Sequence, residues 1–170
     1  LAWSRGLGDV YKRQDLDFED EPSLVDEAVV EFCVNRLQEI LDLEGFDTSV
    51  ETTKVSGNKV FIEIKSEDDL GRVIGREGSH LESLQILIRA ITFRQYESAP
   101  KIILDAGGYR RRRRNAVRSR ALDAAKKVQR SGKGVSLEPM NAAERRMVHL
   151  MFENDDRVQT TSEGAGHGRH

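Results

Sequence analysis

The feature that most constrains the fold of this chain is a pair of glycines, Gly75 and Gly78, that lies between two helical patterns. Glycine has no Cβ, so the backbone can turn tightly there and approach a ligand closely. The next residues, Ser79-His80-Leu81-Glu82, form a Ser-x-x-Glu pattern that predicts a capped helix N-terminus directly after Gly78. Backbone N–H groups and the positive end of a helix dipole attract phosphate. The pattern therefore predicts a clamp for a nucleic-acid backbone.

The predicted clamp extends to the residues around the two glycines. Arg72 and Arg76 add positive charge, whereas Glu77 would face a polyanion unfavourably, so the clamp must depend on its main-chain N–H groups. The predicted site consists of Arg72, Ile74, Gly75, Arg76, Glu77, Gly78 and Ser79. The alternative interpretation is a tight turn between two helices that binds no ligand.

The charge of the chain is sorted along the sequence. The formal net charge is −2, but residues 101–133 contain twelve basic residues and only two acidic ones, Asp105 and Asp123, for a local charge of +10. Acidic residues dominate residues 15–55 instead. Sorted charge of this kind favours a polyanionic partner for one part of the chain.

Several function classes find no support in the sequence. Cys33 is the single cysteine, so an intrachain disulfide or a cysteine-rich zinc site cannot form. We identify no nucleophile–base set, paired acidic site or phosphate-loop signature, and we predict no enzyme, no metal site and no cofactor. No apolar run approaches the roughly 18 residues that span a bilayer. We therefore expect no membrane insertion and a reduced, cytoplasmic location.

The pattern of apolar residues predicts an α+β fold. A helix starts at Pro22-Ser23 with a Ser23-x-x-Asp26 cap and ends at Gly45, and a hairpin turning at 56–58 follows. A short helix from Ser66 to Ile74, the glycine loop, a helix from His80 to Tyr96 and a strand at 101–105 complete this part. Cys33 falls on the apolar face of the first helix and is predicted to be a core residue.

Gly107-Gly108 indicates a boundary, beyond which the elements form a second module. A very basic helix is predicted from Tyr109 to Ser131, closed by Gly132, and Asn141-x-x-Glu144 predicts a capped helix to about Glu153. Short strands are predicted at 135–137 and 157–161. The glycine-rich residues 162–170 are predicted to be loose, and the last strand of this module is predicted to be missing or replaced.

The helix–strand–strand–helix–loop–helix–strand order, with Gly-x-x-Gly between two helices, resembles a KH domain of type II topology. Farther along the chain, three runs resemble the small nucleic-acid-binding domain named for its Arg-x-x-x-His motif, the R-three-H domain. They are 104–113, 135–149 with its Leu-Glu-Pro-Met-Asn sequence, and 161–164. A KH domain followed by this second, small α/β domain resembles the Jag (SpoIIIJ-associated) family of bacterial RNA-binding proteins, in a short form similar to actinobacterial members.

The resemblance implies further site residues in the second module. Arg145 and His149 match the namesake pair and lie four residues apart, so they project from one helix face and could hold a phosphate. Arg146 is included in this predicted site. The alternative is a surface arginine beside a histidine that packs on the core. The basic helix adds Arg110, Arg111, Arg113 and Arg114, which surround the helix and cannot all contact one strand; a solvated charged face is the alternative for each.

The chain divides into five predicted segments. Residues 1–14 end in a run, 9–14, that resembles a translated sequencing-library adapter, so they are interpreted as an artefact or a disordered leader. An acidic lead-in at 15–21, the KH domain at 22–106, the R-three-H domain at 107–164 and a loose tail at 165–170 follow.

The sequence as a whole predicts a single-stranded RNA-binding protein. By resemblance to the family, it would be a post-transcriptional regulator linked to cell elongation and envelope growth, with a small single-KH-domain protein as a partner or with homodimers. One alternative is a protein-interaction adaptor of the elongation machinery that uses the KH surface for dimerisation. Another is a single-stranded DNA binder led by the Arg-x-x-x-His domain.

Overall fold

A computed structural model describes residues 24–170, and the predictions for segments 1–14 and 15–21 lie outside this range. The described residues divide into two units, the first ending at Gly107 and the second running from Gly108 to His170. The first unit contains α1 (Glu27–Leu43), β1 (Ser49–Ser56), β2 (Lys59–Lys65), α2 (Leu70–Ile74), a 3-10 turn (Arg76–Gly78), α3 (Ser79–Tyr96) and β3 (Lys101–Ala106). The second contains α4 (Tyr109–Ser131), α5 (Ala142–Phe152) and a 3-10 turn (Gly166–Gly168).

The first unit is a three-stranded sheet covered by helices. The strand order is β1-β2-β3, with β1 antiparallel and β3 parallel to β2. A parallel neighbour needs a crossover connection, which α2 and α3 supply. Alternate residues of β2 and β3 are buried, and α1 and α3 pack against each other and against the sheet. The element order and the α+β class are as predicted.

The core of the first unit is apolar and tightly closed. Cys33, Leu37 and Leu41 of α1 are fully buried, as are Leu104 of β3 and Ile88 of α3. The Cys33 prediction is therefore confirmed. Burial raises the pKa of the Cys33 thiol, and the hydrogen bond with the Thr92 hydroxyl, at 3.2 Å, opposes this only in part.

Two predicted helix caps in the first unit are wrong. Residues 24–26 are not helical, and the side chain of Asp26 caps α1 by accepting from the Ala28 N–H at 2.9 Å. Gly78, in the left-handed region at φ 84°, is the N-cap of α3, which has no side-chain cap bond. Ser79 is already helical, so its hydroxyl cannot act as the cap.

Residues 108–170, the second unit, contain helices and turns but no strand, which differs from the strands predicted at 135–137 and 157–161. A strand needs a partner that accepts its backbone bonds, and within residues 108–170 neither segment pairs with one. Arg157 instead folds back on Asp155, with an Nε–Oδ1 distance of 2.8 Å. The helix bounds at Tyr109 and Ser131 agree with the prediction.

The last residues are attached to the second unit rather than loose. Glu163 and His170 exchange two backbone hydrogen bonds of 2.9 and 3.0 Å, and the Met140 N–H donates to the Arg169 carbonyl at 3.1 Å. Gly164 has a left-handed backbone, at φ 87°, which allows the chain to turn between Glu163 and His170.

Candidate nucleic-acid interface

The glycine loop of the first unit has a left-handed backbone conformation, which residues with a side chain rarely adopt. Gly75, Glu77 and Gly78 have φ values of 72°, 55° and 84°. The Gly78 N–H donates to the Gly75 carbonyl at 3.2 Å and closes the turn, while Arg76 is exposed to solvent. A left-handed glutamate is uncommon and costs about 1–2 kcal/mol. The loop is therefore held in place by its surroundings.

Gly75 is required for packing as well as for conformation. A Cβ at this position would lie 2.7 Å from the Cβ of His80 and 3.0 Å from its backbone nitrogen. Both distances are shorter than van der Waals contact allows. The first turn of α3 is thus pressed directly against the loop.

His80 connects this loop to the end of α1. Its Nδ1 donates to the Val73 carbonyl at 2.9 Å, and its Nε2 lies 3.3 Å from a carboxylate oxygen of Glu44. Its ring also contacts the Phe46 ring, with centroids 5.8 Å apart. The partners of His80, 7 and 36 residues away, could not be read from the sequence.

Arg72 is exposed but held in a defined position. Its Nη1 donates to Asp69 Oδ1 at 2.8 Å, and its guanidinium lies 4.8 Å from the centroid of the Phe46 ring. The backbone N–H of Asp47 and then Arg72 hold the pKa of the Asp69 carboxyl below its usual range. Part of the positive charge of Arg72 is therefore neutralised within the protein.

The remaining predicted residues of the loop differ in exposure. Ile74 is only 9% exposed and belongs to the apolar core, so its part in the site is to anchor the loop. Ser79 is exposed, and its carbonyl accepts from the Ser83 hydroxyl at 2.9 Å. The structure thus brings Arg76, Arg72 and Ser79 to the surface around one turn.

In the second unit, a capping box fixes the start of α5. The Asn141 side chain accepts from the Glu144 N–H at 2.9 Å, and the Glu144 carboxylate accepts from the Asn141 N–H at 3.1 Å. The predicted cap is confirmed. The same carboxylate accepts from Arg113, at 2.8 Å from Nε and 3.3 Å from Nη2.

The pair of Arg113 and Glu144 is mostly buried, with side chains 15% and 12% exposed. Arg113 also donates to the Pro139 carbonyl at 3.4 Å, so its guanidinium joins α4, α5 and the segment between them. This geometry assigns Arg113 a structural contact. Arg111 and Arg114 are exposed and Arg110 is half-buried, so the basic helix presents unequal arginines.

The Arg-x-x-x-His pair of α5 makes contacts within its own unit. Arg145 donates from Nη1 to the Met140 carbonyl at 2.8 Å. The His149 ring nitrogens lie 2.6 Å from the Thr160 hydroxyl and 3.0 Å from the Ser162 hydroxyl. Both histidine nitrogens are therefore engaged, and His149 holds the segment after α5 in place. Arg146 is exposed.

The described residues contain neither a metal cluster nor a helix fit for a bilayer. No group of three histidine, cysteine, aspartate or glutamate side chains in residues 24–170 is arranged to hold a metal ion. Over the same range, every helix is too short or too polar to cross a bilayer.

Comparison with known domain families gives two matches that lie one after the other. Residues 30–103 match the model described as "KhpA/KhpB, KH domain", and residues 115–170 match the R-three-H domain model. The predicted order of a KH domain followed by an R-three-H domain is confirmed. Neither is a family of enzymes, in agreement with the prediction that the chain is not an enzyme.

Curated relatives match large parts of the chain. The RNA-binding protein KhpB of Clostridium symbiosum is 34% identical over 146 residues, which cover 85% of this chain and 65% of that protein. The RNA-binding protein KhpB of Bacillus subtilis is 30% identical over 100 residues, covering 58% of this chain and 48% of the relative. The chain thus spans less than two thirds of the length of each of these relatives.

Proposed function

This chain belongs to the KhpB (Jag) family of proteins with a KH and an R-three-H domain, and from that premise we propose that it binds single-stranded RNA through both units. The observation that carries the proposal is the shape of the Gly75–Gly78 turn. Its positive φ values turn the backbone sharply beside the exposed Arg76, at the start of an 18-residue helix. Such a turn suits the sugar–phosphate backbone of a few nucleotides.

The second unit supplies the other half of the proposed grip. Arg145 is half-buried, and its only side-chain hydrogen bond within residues 24–170 is to a carbonyl, so its charge has no carboxylate partner there. A phosphate would supply the missing charge. Two modest sites on one chain bind more tightly than either alone, because the second contact is intramolecular.

The biological role that we propose is post-transcriptional regulation connected with cell elongation and envelope growth, in the cytoplasm. The family supports this role, as it supports a small single-KH-domain protein as a partner. RNA binding itself is supported by the names of the relatives and by the +10 charge of residues 101–133.

The test is a binding series with RNA and DNA oligonucleotides of the same sequence at several salt concentrations. We expect Arg76→Gln and Arg145→Gln each to weaken RNA binding several-fold, and the double variant to weaken it more than either, because the two contacts act together. Arg94→Gln, at an exposed arginine in the last turn of α3, is the matched control. Absence of RNA binding by the wild-type chain at low salt would refute the proposal, and equal affinity for DNA would favour the alternative of a single-stranded DNA binder.

A second candidate function, a protein-interaction adaptor, is favoured by one surface of the first unit. Leu43, Phe93 and Tyr96 on α1 and α3 are 83%, 59% and 38% exposed. Leu43 also lines an open groove between these helices with Phe32, Ile40 and Ile91, and an exposed apolar patch of this kind is typical of protein interfaces. Sedimentation of wild type and of Leu43→Glu distinguishes this function, because a dimer that uses this surface should dissociate in the variant, and a wild-type monomer would argue against homodimers.

A further inference from the structure

A cavity of about 410 Å³ lies within the second unit. Its lining comes from the second half of α4, from α5, from segments 134–140 and 158–163, and from His170. Its volume is in the range of about 300–1,000 Å³ that small-molecule sites occupy.

The lining combines a mostly apolar wall with a few polar groups. Ala121, Ala125 and Val128 of α4 and Val148 and Phe152 of α5 supply apolar surface. These alanines leave room where longer side chains would fill the space. Phe152 adds a phenyl ring to this wall, and it is half-buried at the last position of α5.

The polar side of the lining includes several side chains whose positions are fixed. Arg145 and His149 project from α5, and Thr160 and Ser162 are hydrogen-bonded to the His149 ring. A neutral imidazole donates to one hydroxyl and accepts from the other, so both hydroxyl oxygens keep acceptor capacity and one keeps its proton for a further bond. His149 thus positions two small hydrogen-bonding groups on this lining.

We propose that this cavity takes one nucleobase of single-stranded RNA, placed against Phe152, with its phosphate at Arg145. The flat face of a base can stack on the Phe152 ring, and its polar edge can form hydrogen bonds with the Thr160 and Ser162 hydroxyls. The negative phosphate of the same nucleotide would pair with the guanidinium of Arg145, which has no carboxylate partner within residues 24–170. This inference rests on the proposed function, because it names the part of the RNA that the second unit holds.

The proposal changes the role expected of the Arg-x-x-x-His pair. Arg145 contacts the ligand, whereas His149 acts through Thr160 and Ser162 and is a positioning residue. We therefore expect Thr160→Val together with Ser162→Ala to weaken binding about as much as His149→Ala does. A larger effect of His149→Ala would mean that the ring contacts RNA itself and would contradict this assignment.

The first experiment locates the base. The full chain is bound to a single-stranded RNA that contains 4-thiouridine and is irradiated, and the attachment point is identified by mass spectrometry. We expect adducts at Phe152 or within residues 158–163. Adducts confined to residues 24–107 or to the arginines at 110–114 would overturn the inference while leaving the proposed function in place.

The second experiment measures what the base contributes. We expect Phe152→Leu to weaken RNA binding about tenfold, because the base would lose its stacking on the aromatic ring. Ala125→Leu, which fills the cavity, should have a similar effect. Phe93→Leu and Ala116→Leu are matched controls at exposed positions and should leave binding unchanged.

A base-free phosphodiester oligomer separates loss of the cavity from loss of folding. Wild type, Phe152→Leu and Ala125→Leu should bind this oligomer equally, because it has no base to insert. If the variants lose affinity for it as strongly as for RNA, the inference is wrong. If wild type binds no RNA at all, the proposed function fails and this inference fails with it.

Discussion

At Gly75 the lack of a side chain serves two purposes. The residue has φ 72°, and its Cα faces the first turn of α3 so closely that a Cβ would lie 2.7 Å from that of His80. Gly71 lies one turn earlier, in α2, and a Cβ there would meet no neighbouring atom within 4 Å. The structure therefore requires glycine at position 75 but not at position 71.

We expect Gly75→Ala to lower the free energy of unfolding by about 1–3 kcal/mol, because the left-handed backbone and the contact with His80 both oppose a methyl group. Gly71→Ala should raise it by about 0.5–1 kcal/mol, because alanine favours the helix. Urea denaturation of both variants checks this. Equal effects of the two substitutions would show that the contact at His80 is not restrictive.

Single residues also show where sequence reasoning ends. The pattern Gly-x-x-Gly identified the loop, because a left-handed turn between two helices calls for glycine at fixed positions. It could not show that His80 binds the Val73 carbonyl, or that the two ring nitrogens of His149 are engaged by hydroxyls 11 and 13 residues away. Such contacts depend on how separate segments pack in three dimensions. The spacing of residues within one segment carries no information about that packing.

At the scale of elements, the basic helix α4 divides into structural and exposed arginines. Arg113 is bonded to Glu144 in a pair that is nearly buried, whereas Arg111 is exposed. The run of five arginines gave no sign of this difference, because the partner of Arg113 is 31 residues away. The predicted RNA contact of Arg113 stays a prediction, and the structure favours a different use of this side chain.

We expect Arg113→Gln to lower the free energy of unfolding by about 1–3 kcal/mol, because the Glu144 carboxylate would be left without its charged partner in a mostly buried position. Arg111→Gln should leave stability within about 0.5 kcal/mol of wild type, as is usual at the surface. Thermal unfolding followed by circular dichroism measures both. If Arg113→Gln is as stable as wild type but binds RNA more weakly, Arg113 contacts RNA and its role is not structural.

The elements that sequence predicted well are those with local end signals. Gly108 and Gly132 bound α4, and the capping box of Asn141 and Glu144 starts α5. The strands at 135–137 and 157–161 were wrong because a strand depends on a partner from elsewhere in the chain. The cap at Ser79 was wrong because Gly78 itself adopts the N-cap position.

At the scale of the whole molecule, net charge is a poor guide to the partner. The chain carries −2 overall, yet residues 101–133 carry +10. A ligand that contacts one region responds to the charge of that region more than to the net charge of the chain. RNA affinity should therefore follow the local charge and persist at a pH where the whole chain is negative.

We expect the logarithm of the RNA association constant to fall linearly with the logarithm of salt concentration. Arg111→Gln with Arg114→Gln should reduce that slope by about 0.7 for each phosphate of the single strand that the variant no longer neutralises. Arg36→Gln, in the acidic region, is the control and should leave the slope unchanged. An unchanged slope in the double variant would mean that these arginines are only a solvated face.

The Gly75–Gly78 turn and the arginines of α4 are expected to act at different stages of RNA binding. Exposed charge acts at a distance and accelerates encounter, whereas a preformed turn acts only after contact and slows departure. Substitutions at Arg111 or Arg114 should therefore change mainly the association rate, and their effect should fade as salt increases. Substitutions at the turn should change mainly how long RNA stays bound, at any salt concentration.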